Sequence, residues 1–288
     1  MRRIAILAYT ARPAAVTWAG HAIDRLLAEG VDVIVDVDLA EHLPVEVASR
    51  CETRSVSEFE KRADMVMTFG GDGTLLATAR LLMGSDVPIM GINVGRLGFL
   101  AEFPITALDE AIMDVLKGNF RIVDRTTLHV SFNGVEAHAL NDVLIERASE
   151  AKMIAVQAFV NEHHVADYRA DGVIICTPTG STAYSLAAGG PIIAPSAEVL
   201  CVTPIAPHTL TLRPLIVNDT SELRCELLVD NAPAHVVADG KILGTIGKGD
   251  AVVVRKSEHL VKLVKRADST YYDLLRDKLL WSADASTK

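Results

Sequence analysis

Two runs in this 288-residue chain combine residue types that chemistry needs. The first, GGDGT at residues 70–74, follows the apolar run "MVMTF" and precedes Leu75, Leu76, Ala79 and Leu82 at helical spacing. A strand, a tight glycine loop and a helix aim backbone N–H groups and the positive end of a helix dipole at an anion, and glycines let a phosphate come close. Gly70, Gly71, Gly73 and Thr74 are therefore expected to form a phosphate loop. The run is neither G-x-x-x-x-G-K-[ST] nor G-x-G-x-x-G, so it lacks both the P-loop lysine and the usual dinucleotide fingerprint. Asp72 is its informative residue, because a bound phosphate repels a carboxylate unless a hydroxyl or a metal ion meets it. The plain alternative is a turn in which Gly71-Asp72-Gly73 only reverses the chain.

The second run, "TPTGSTAY" at 177–184, is delivered by the buried strand Val173 to Cys176 and followed by small residues ending in Gly189-Gly190. Its hydroxyls and amides could hydrogen-bond a sugar or a base, and Tyr184 offers a flat face for stacking. A turn that caps a helix explains one or two of Thr177, Thr179, Ser181 and Thr182, but not all four. Asn141 and Asp142 interrupt the otherwise apolar "HALNDVLIER". Adjacent strand residues face opposite ways, so one of the two would turn toward the core unless a cleft lies there; a strand-end turn is the alternative. Glu162, His163 and His164 read as a hairpin turn with solvated histidines, since neighbours on a strand diverge, and no protein metal site is expected. Arg96 and Arg169 are candidates for pairing with phosphate, with a surface or interface ion pair as the equal alternative.

The elements that must position these runs follow from periodicity. Residues 4–8 read as a buried strand, Val16, Ala19, Ile23, Leu26 and Leu27 as a helix closed by Gly30, and "VDVIVDV" from Val31 as a strand. A short helix over Glu58 to Arg62 leads to the strand before the glycines, and "VPIMGINV" is another strand. Thr106 and Asp109 start a helix with Leu108, Ile112 and Leu116 on its apolar face and Gly118 at its end. Alternating strands and helices imply a parallel, Rossmann-like sheet covered on both faces, an α/β domain over 1–122. Beyond it strand signals crowd together, with hairpin turns at Asn133-Gly134 and Asp239-Gly240, so 123–268 is expected to be mostly β. A final helix within 269–288, capped by Ser269, carries Tyr271, Leu274, Leu275 and Leu279 and is expected to pack back on the α/β domain.

A net charge of −9 with no long basic run discounts nucleic acid and anionic lipid as partners. Four scattered cysteines without a C-x-x-C pair suit free, buried thiols in a reducing compartment. The opening "MRRIAILAYTARP" has too short an apolar stretch for a secretory signal, and no window is long enough for a membrane span, so a cytoplasmic protein is expected.

Taken in order, "GGDGT", "LND" at 140–142 and "TPTGSTAY" resemble the NAD kinase family, as do "INVGRLGFL" at 92–100, "LRP" at 212–214, "DG" at 239–240 and the closing "LLRDKLLW". "GGDG" alone is shared with lipid kinases and phosphofructokinases; its conjunction with "TPTGSTAY" is highly specific. The resemblance implies phosphorylation of the adenosine ribose 2′-hydroxyl of NAD by ATP with Mg²⁺ or another divalent metal, in a homodimer or homotetramer. Asp72 matches the family's catalytic aspartate, Gly73 belongs to its phosphate-binding turn, and Phe99 matches an aromatic lining the NAD site. Asn141 and Asp142 match a pair that contacts NAD, usually Asn-Glu; Thr179, Thr182, Ala183 and Tyr184 match the adenosine pocket. Arg169 joins this NAD-binding set, and Asp171 and Ala206 match residues that a neighbouring subunit contributes. Lys241 stands where glutamine is common.

Phosphoryl transfer is mostly positioning and charge stabilisation, so Asp72 is expected to orient the 2′-hydroxyl first and accept its proton late. Mg²⁺ is expected to travel with the nucleotide phosphates, since no carboxylate cluster stands out. The rivals are a lipid or sugar kinase using the same loop and a non-catalytic dinucleotide sensor. No basic amphipathic segment supports the lipid kinase, and a sensor gains little from a carboxylate in a phosphate loop. Inorganic polyphosphate in place of ATP is left open.

Overall fold

Alternating apolar residues at the start of the chain become the central strands of a parallel sheet. In the computed structural model, residues 2–95, 98–148, 153–228 and 233–281 are described. They fall into two units, one drawn from Met1–Asp124 and Val261–Lys288, the other from Arg125–Leu260.

The first unit runs β1 (Arg3–Ala8), α1 (Pro13–Ala28), β2 (Asp32–Asp36), α2 (Val37–His42), α3 (Val45–Ala48), β3 (Glu52–Arg54), a 3₁₀ turn (Val56–Lys61), β4 (Met65–Gly70), α4 (Asp72–Leu81), β5 (Ile89–Asn93), β6 (Phe103–Pro104) and α5 (Leu108–Lys117). Strands pair in the order β3-β2-β1-β4-β5, all parallel. Ile4, Ile6, Val33, Val35, Met65, Met67 and Phe69 alternate onto one face, where Ala19, Ile23 and Leu26 of α1 and Leu108, Ile112 and Val115 of α5 bury them. Helix α4 packs on β4 and β5. Gly118 ends α5 in the left-handed region, as its place after the last apolar residue predicts. Thr106 is not the cap of that helix: a 3₁₀ turn, Ile105–Ala107, precedes it, and Ala107 at the cap has no side chain to contribute.

The second unit is built from β7 (Phe120–Phe132), β8 (Val135–Ala139), β9 (Asp142–Arg147), β10 (Ile154–Val160), β11 (His163–Ala170), β12 (Gly172–Cys176), a 3₁₀ turn (Thr179–Thr182), α6 (Tyr184–Ala187), β13 (Val199–Ile205), β14 (Leu215–Asn218), β15 (Leu223–Leu227), β16 (Ala234–Ala238), β17 (Lys241–Ile246) and β18 (Ala251–Arg266), the unit boundaries falling inside β7 and β18. One sheet is ordered β14-β13-β12-β9-β16-β17; the other joins β11, β10, β15 and β18, with β7 and β8 beyond. Val143, Ile145, Val173, Ile175 and Val202 from the first meet Val156, Leu223, Cys225, Val252 and Val254 from the second in one core. The turns at Asn133-Gly134 and Asp239-Gly240 join Phe132 to Val135 and Ala238 to Lys241, with positive φ at both central residues of each. Those are the two-residue loops whose twist matches the flanking strands.

The chain returns to the first unit through the end of β18, where Leu263 pairs in parallel with Ile89, and closes with α7 (Tyr271–Leu279). Its cap is Thr270 rather than Ser269, because Asp273 stands three residues after Thr270: the Thr270 hydroxyl and N–H meet the Asp273 carboxylate, and Thr270 accepts from the Asp273 N–H. All four cysteines are free thiols, three buried and Cys51 partly exposed. Among the described residues no helix is long and apolar enough to cross a membrane.

Candidate functional site

The glycine loop does not reverse the chain. Strand β4 ends at Gly70, Gly71 is extended, and α4 starts at Asp72, so the carboxylate sits in the first turn of a helix. Three backbone N–H groups hold it: Phe99 donates to Oδ2 at 2.8 Å, and Leu100 and Ala101 donate to Oδ1 at 3.1 and 3.0 Å. Gly98 lets this loop close in, since a Cβ there would lie 1.7 Å from Asp72 Oδ1. Lys265 fixes the same segment from the other side, donating to the Leu100 carbonyl at 3.3 Å and pairing with the Glu102 carboxylate. An ionised carboxylate has about four acceptor positions, so three amides leave about one for a further donor. Phe99 is half-buried beside Asp72, and Lys278 of α7 stands with its Nζ 5.7 Å from the Phe99 ring centre.

Gly70, Gly71, Gly73 and Thr74 line a cavity of about 590 Å³ together with Tyr9, Arg12, Asp36 and Leu81. It opens where β1, β2 and β4 end, the place where open parallel sheets bind ligands. A Cβ on Gly71 or Gly73 would meet nothing within 4 Å, so these glycines leave backbone accessible beside the helix N-terminus. Arg12 and Asp36 were not legible as site residues. Arg12 comes from the turn after β1 and pairs with no carboxylate among the described residues; Asp36 ends β2, and burial pushes its carboxyl above the ordinary range.

In the second unit, Asn141 and Asp142 stand at the start of β9 next to "TPTGSTAY". Thr177 reaches back, its hydroxyl donating to the Leu140 carbonyl at 2.7 Å and its N–H to the Asn141 carbonyl at 2.9 Å. Gly180 packs so closely that a Cβ would fall 2.0 Å from the Asn141 carbonyl oxygen. Asp239, at the turn before β17, accepts from the Leu140, Asn141 and Asp142 N–H groups at 2.8, 2.8 and 3.2 Å. The clamp leaves Asn141 Oδ1 buried with no hydrogen-bond partner among the described residues. Burial, and then the Asp239 charge, push the Asp142 carboxyl up to about 7.

The four hydroxyls of the loop divide. Thr177 and Ser181 are fully buried and spent on the backbone, Ser181 donating to Pro178 O at 2.6 Å and accepting from Ile193 N at 3.0 Å. Thr179 is buried, Thr182 and Ala183 are half-buried, and Tyr184 is exposed, its flat ring free for stacking. Asp171 and Ala206 come together across the β12 and β13 ends, where the Asp171 N–H donates to the Ile205 carbonyl and its carboxylate faces Arg147 at 3.4 Å. Ala206 is exposed and holds a φ of 44°, uncommon for a residue with a side chain. Arg169 is exposed near the end of β11, its carbonyl accepting from the His208 N–H.

Arg96 lies outside the described residues. Asn161-Glu162 is the hairpin turn between β10 and β11, and His163 and His164 are exposed there, His164 on Asp167. Lys241 is exposed at the first position of β17, and nothing in the structure explains its choice over glutamine.

Residues 4–120 match the ATP-NAD kinase N-terminal domain and residues 140–266 the ATP-NAD kinase C-terminal domain. An NAD kinase of Syntrophotalea carbinolica is 39% identical over 286 residues, covering 98% of this chain and 99% of the relative. One from Methanothermobacter thermautotrophicus is 39% identical over 280 residues, 97% of each. Among solved structures, yeast NADH kinase complexed with NADH superposes with a TM-score of 0.88 at 25% identity, covering 100% of this chain and 89% of that one. An NAD kinase from Archaeoglobus fulgidus in complex with ATP gives 0.75 at 26% identity, covering 96% and 98%.

Proposed function

The chain belongs to the ATP-NAD kinase family and phosphorylates NAD with ATP, and from that premise we propose that Asp72 orients the adenosine ribose 2′-hydroxyl for attack on the γ-phosphorus. The observation that carries this role is the carboxylate held by three amides with about one acceptor position left. A group fixed in that way costs no reorganisation when the hydroxyl arrives. As the new ribose O–P bond forms, the bond from phosphorus to the β,γ-bridging oxygen breaks and ADP leaves with its electrons. The hydroxyl proton passes late to Asp72 and from there to solvent.

Asn141 and Asp142, with Thr179, Thr182, Ala183 and Tyr184, hold NAD in this reading. The buried, unpartnered Asn141 Oδ1 supports it, because an orphaned acceptor is costly until a ligand supplies a donor. Arg169 adds a charge for phosphate, and Asp171 and Ala206 would serve the site of a neighbouring subunit in a homodimer or homotetramer. ATP occupies the cavity beside Gly71 and Gly73, with Arg12 on its phosphates and Asp36 on its ribose hydroxyls, so nucleotide rather than polyphosphate is the donor that fits. Among the described residues no three His, Cys, Asp or Glu side chains converge to hold an ion. In this reading Mg²⁺ would ride on the ATP phosphates, where it would neutralise charge on the oxygens. The reading places the reaction in the cytoplasm.

The test is formation of NADP from NAD, ATP and Mg²⁺, detected with an NADP-specific dehydrogenase. Asp72→Asn is expected to lower kcat by about 10²-fold or more while NAD still binds in a titration. NADP formed by the variant at near wild-type rate would remove Asp72 from this role. NAD binding by the wild type without turnover would favour the dinucleotide sensor. The lipid- or sugar-kinase alternative is not favoured, since both domains and the full-length relatives are those of NAD kinases.

A further inference from the structure

The glycine loop lacks the lysine that a P-loop would bring to the phosphates, and the fold sets a lysine from the far end of the sequence beside it. Helix α7 buries Leu274 and Leu275, and Lys278 lies four and three residues on, so it shares their inward face. Its side chain is half-buried, with Nζ over the Phe99 ring, and Phe99 is one of the three residues whose N–H groups hold Asp72. Among the described residues Lys278 forms no ion pair. Burial lowers its basicity, and the charge acting against that is Asp72. A half-buried lysine on an inward helix face is usually held in an ion pair, because desolvating the ammonium has a cost, and here the nearby Asp72 charge offsets only part of it. The Phe99 face offsets part of it. A phosphate arriving at the glycine loop would offset the rest.

We propose that Lys278 is a catalytic residue whose ammonium donates hydrogen bonds to the oxygens of the phosphoryl group in transfer. The inference rests on the NAD kinase reading above. Lys278 neither gains nor loses a proton: while phosphorus exchanges its bond to the bridging oxygen of ADP for one to the ribose oxygen, the ammonium stabilises negative charge on the other oxygens. The loop amides and the α4 N-terminus supply partial charges, and Lys278 supplies the full side-chain cation that the loop sequence omits.

The competing explanation is packing, in which the lysine stem and its cation–π contact only hold Phe99 in place. Lys278→Met keeps the stem against Phe99 and removes the charge; Lys278→Arg keeps a charge in a different shape. Steady-state rates of NADP formation, NAD titrations and thermal melts would be measured on both variants and the wild type. Lys278→Met is expected to lower kcat by about 10²-fold with KM for NAD and Tm nearly unchanged, and Lys278→Arg to recover at least a tenth of the wild-type rate. A kcat for Lys278→Met within about threefold of wild type would overturn the proposal, as would a loss confined to KM for NAD or to Tm. Wild-type enzyme that made no NADP would defeat the premise itself, which separates the two failures.

Discussion

At the scale of single residues, Asp142 is the most informative group. Its carboxyl is raised to about 7 by burial and by Asp239, against 3.8 for an exposed aspartate. The folded protein therefore holds this proton at pH values where the unfolded chain has already lost it. Stability from this group is full below about pH 4 and is lost as pH rises through about 7. Asp142→Asn, which mimics the protonated form, is expected to raise Tm less at pH 5 than at pH 8, because only part of the stability has been lost at the lower pH. An equal shift at both pH values in thermal melts would show that Asp142 titrates normally. The shorter side chain at a position where glutamate is common thus sits close enough to Asp239 to feel its charge.

At the scale of elements, each unit has one close backbone approach at its candidate residues, and each needs a glycine that no periodicity argument singles out. Gly98 lets the 98–101 segment reach Asp72, and Gly180 lets the "TPTGSTAY" turn sit on Asn141. Gly98→Ala should displace the Asp72 carboxylate and lower kcat by about 10-fold or more, with NAD binding kept. Gly180→Ala should instead weaken NAD binding, because the Asn141 backbone must move. Parallel kcat measurements and NAD titrations on both variants check this, and a swap of the two phenotypes would refute it. Lys265 secures the first approach from β18. Removing it by Lys265→Met leaves the half-buried Glu102 carboxylate without its cation, expected to cost about 1–3 kcal/mol in denaturant unfolding.

At the scale of the whole molecule, the proposed contribution of Asp171 by a neighbouring subunit makes a prediction that no single-chain property would mimic. Asp72→Asn and Asp171→Ala should each be nearly inactive alone. Unfolded together in equal amounts and refolded, they should recover about a quarter of wild-type activity if dimers pair at random, since one site in each mixed dimer has both residues intact. An activity equal to the sum of the separate variants would show that each chain completes its own site.

Several features were legible in the sequence. The parallel sheet followed from apolar runs alternating with helical periods, the hairpins from Asn-Gly and Asp-Gly, and the glycine loop from its place between a strand and a helix; each is a local preference that packing reinforced. The strand and helices over residues 37–54 were not visible, because short elements carry too few residues to show a period. Neither was the division of the hydroxyls at 177–182, which depends on the strand β9 that their backbone lies against. Tertiary structure alone decided that three amides from residues 99–101 would hold Asp72, that Asp239 would fix 140–142, and that Lys278 would approach Phe99 across 179 positions of sequence. Those contacts join elements distant along the chain, and no pattern local to either partner encodes the distance between them.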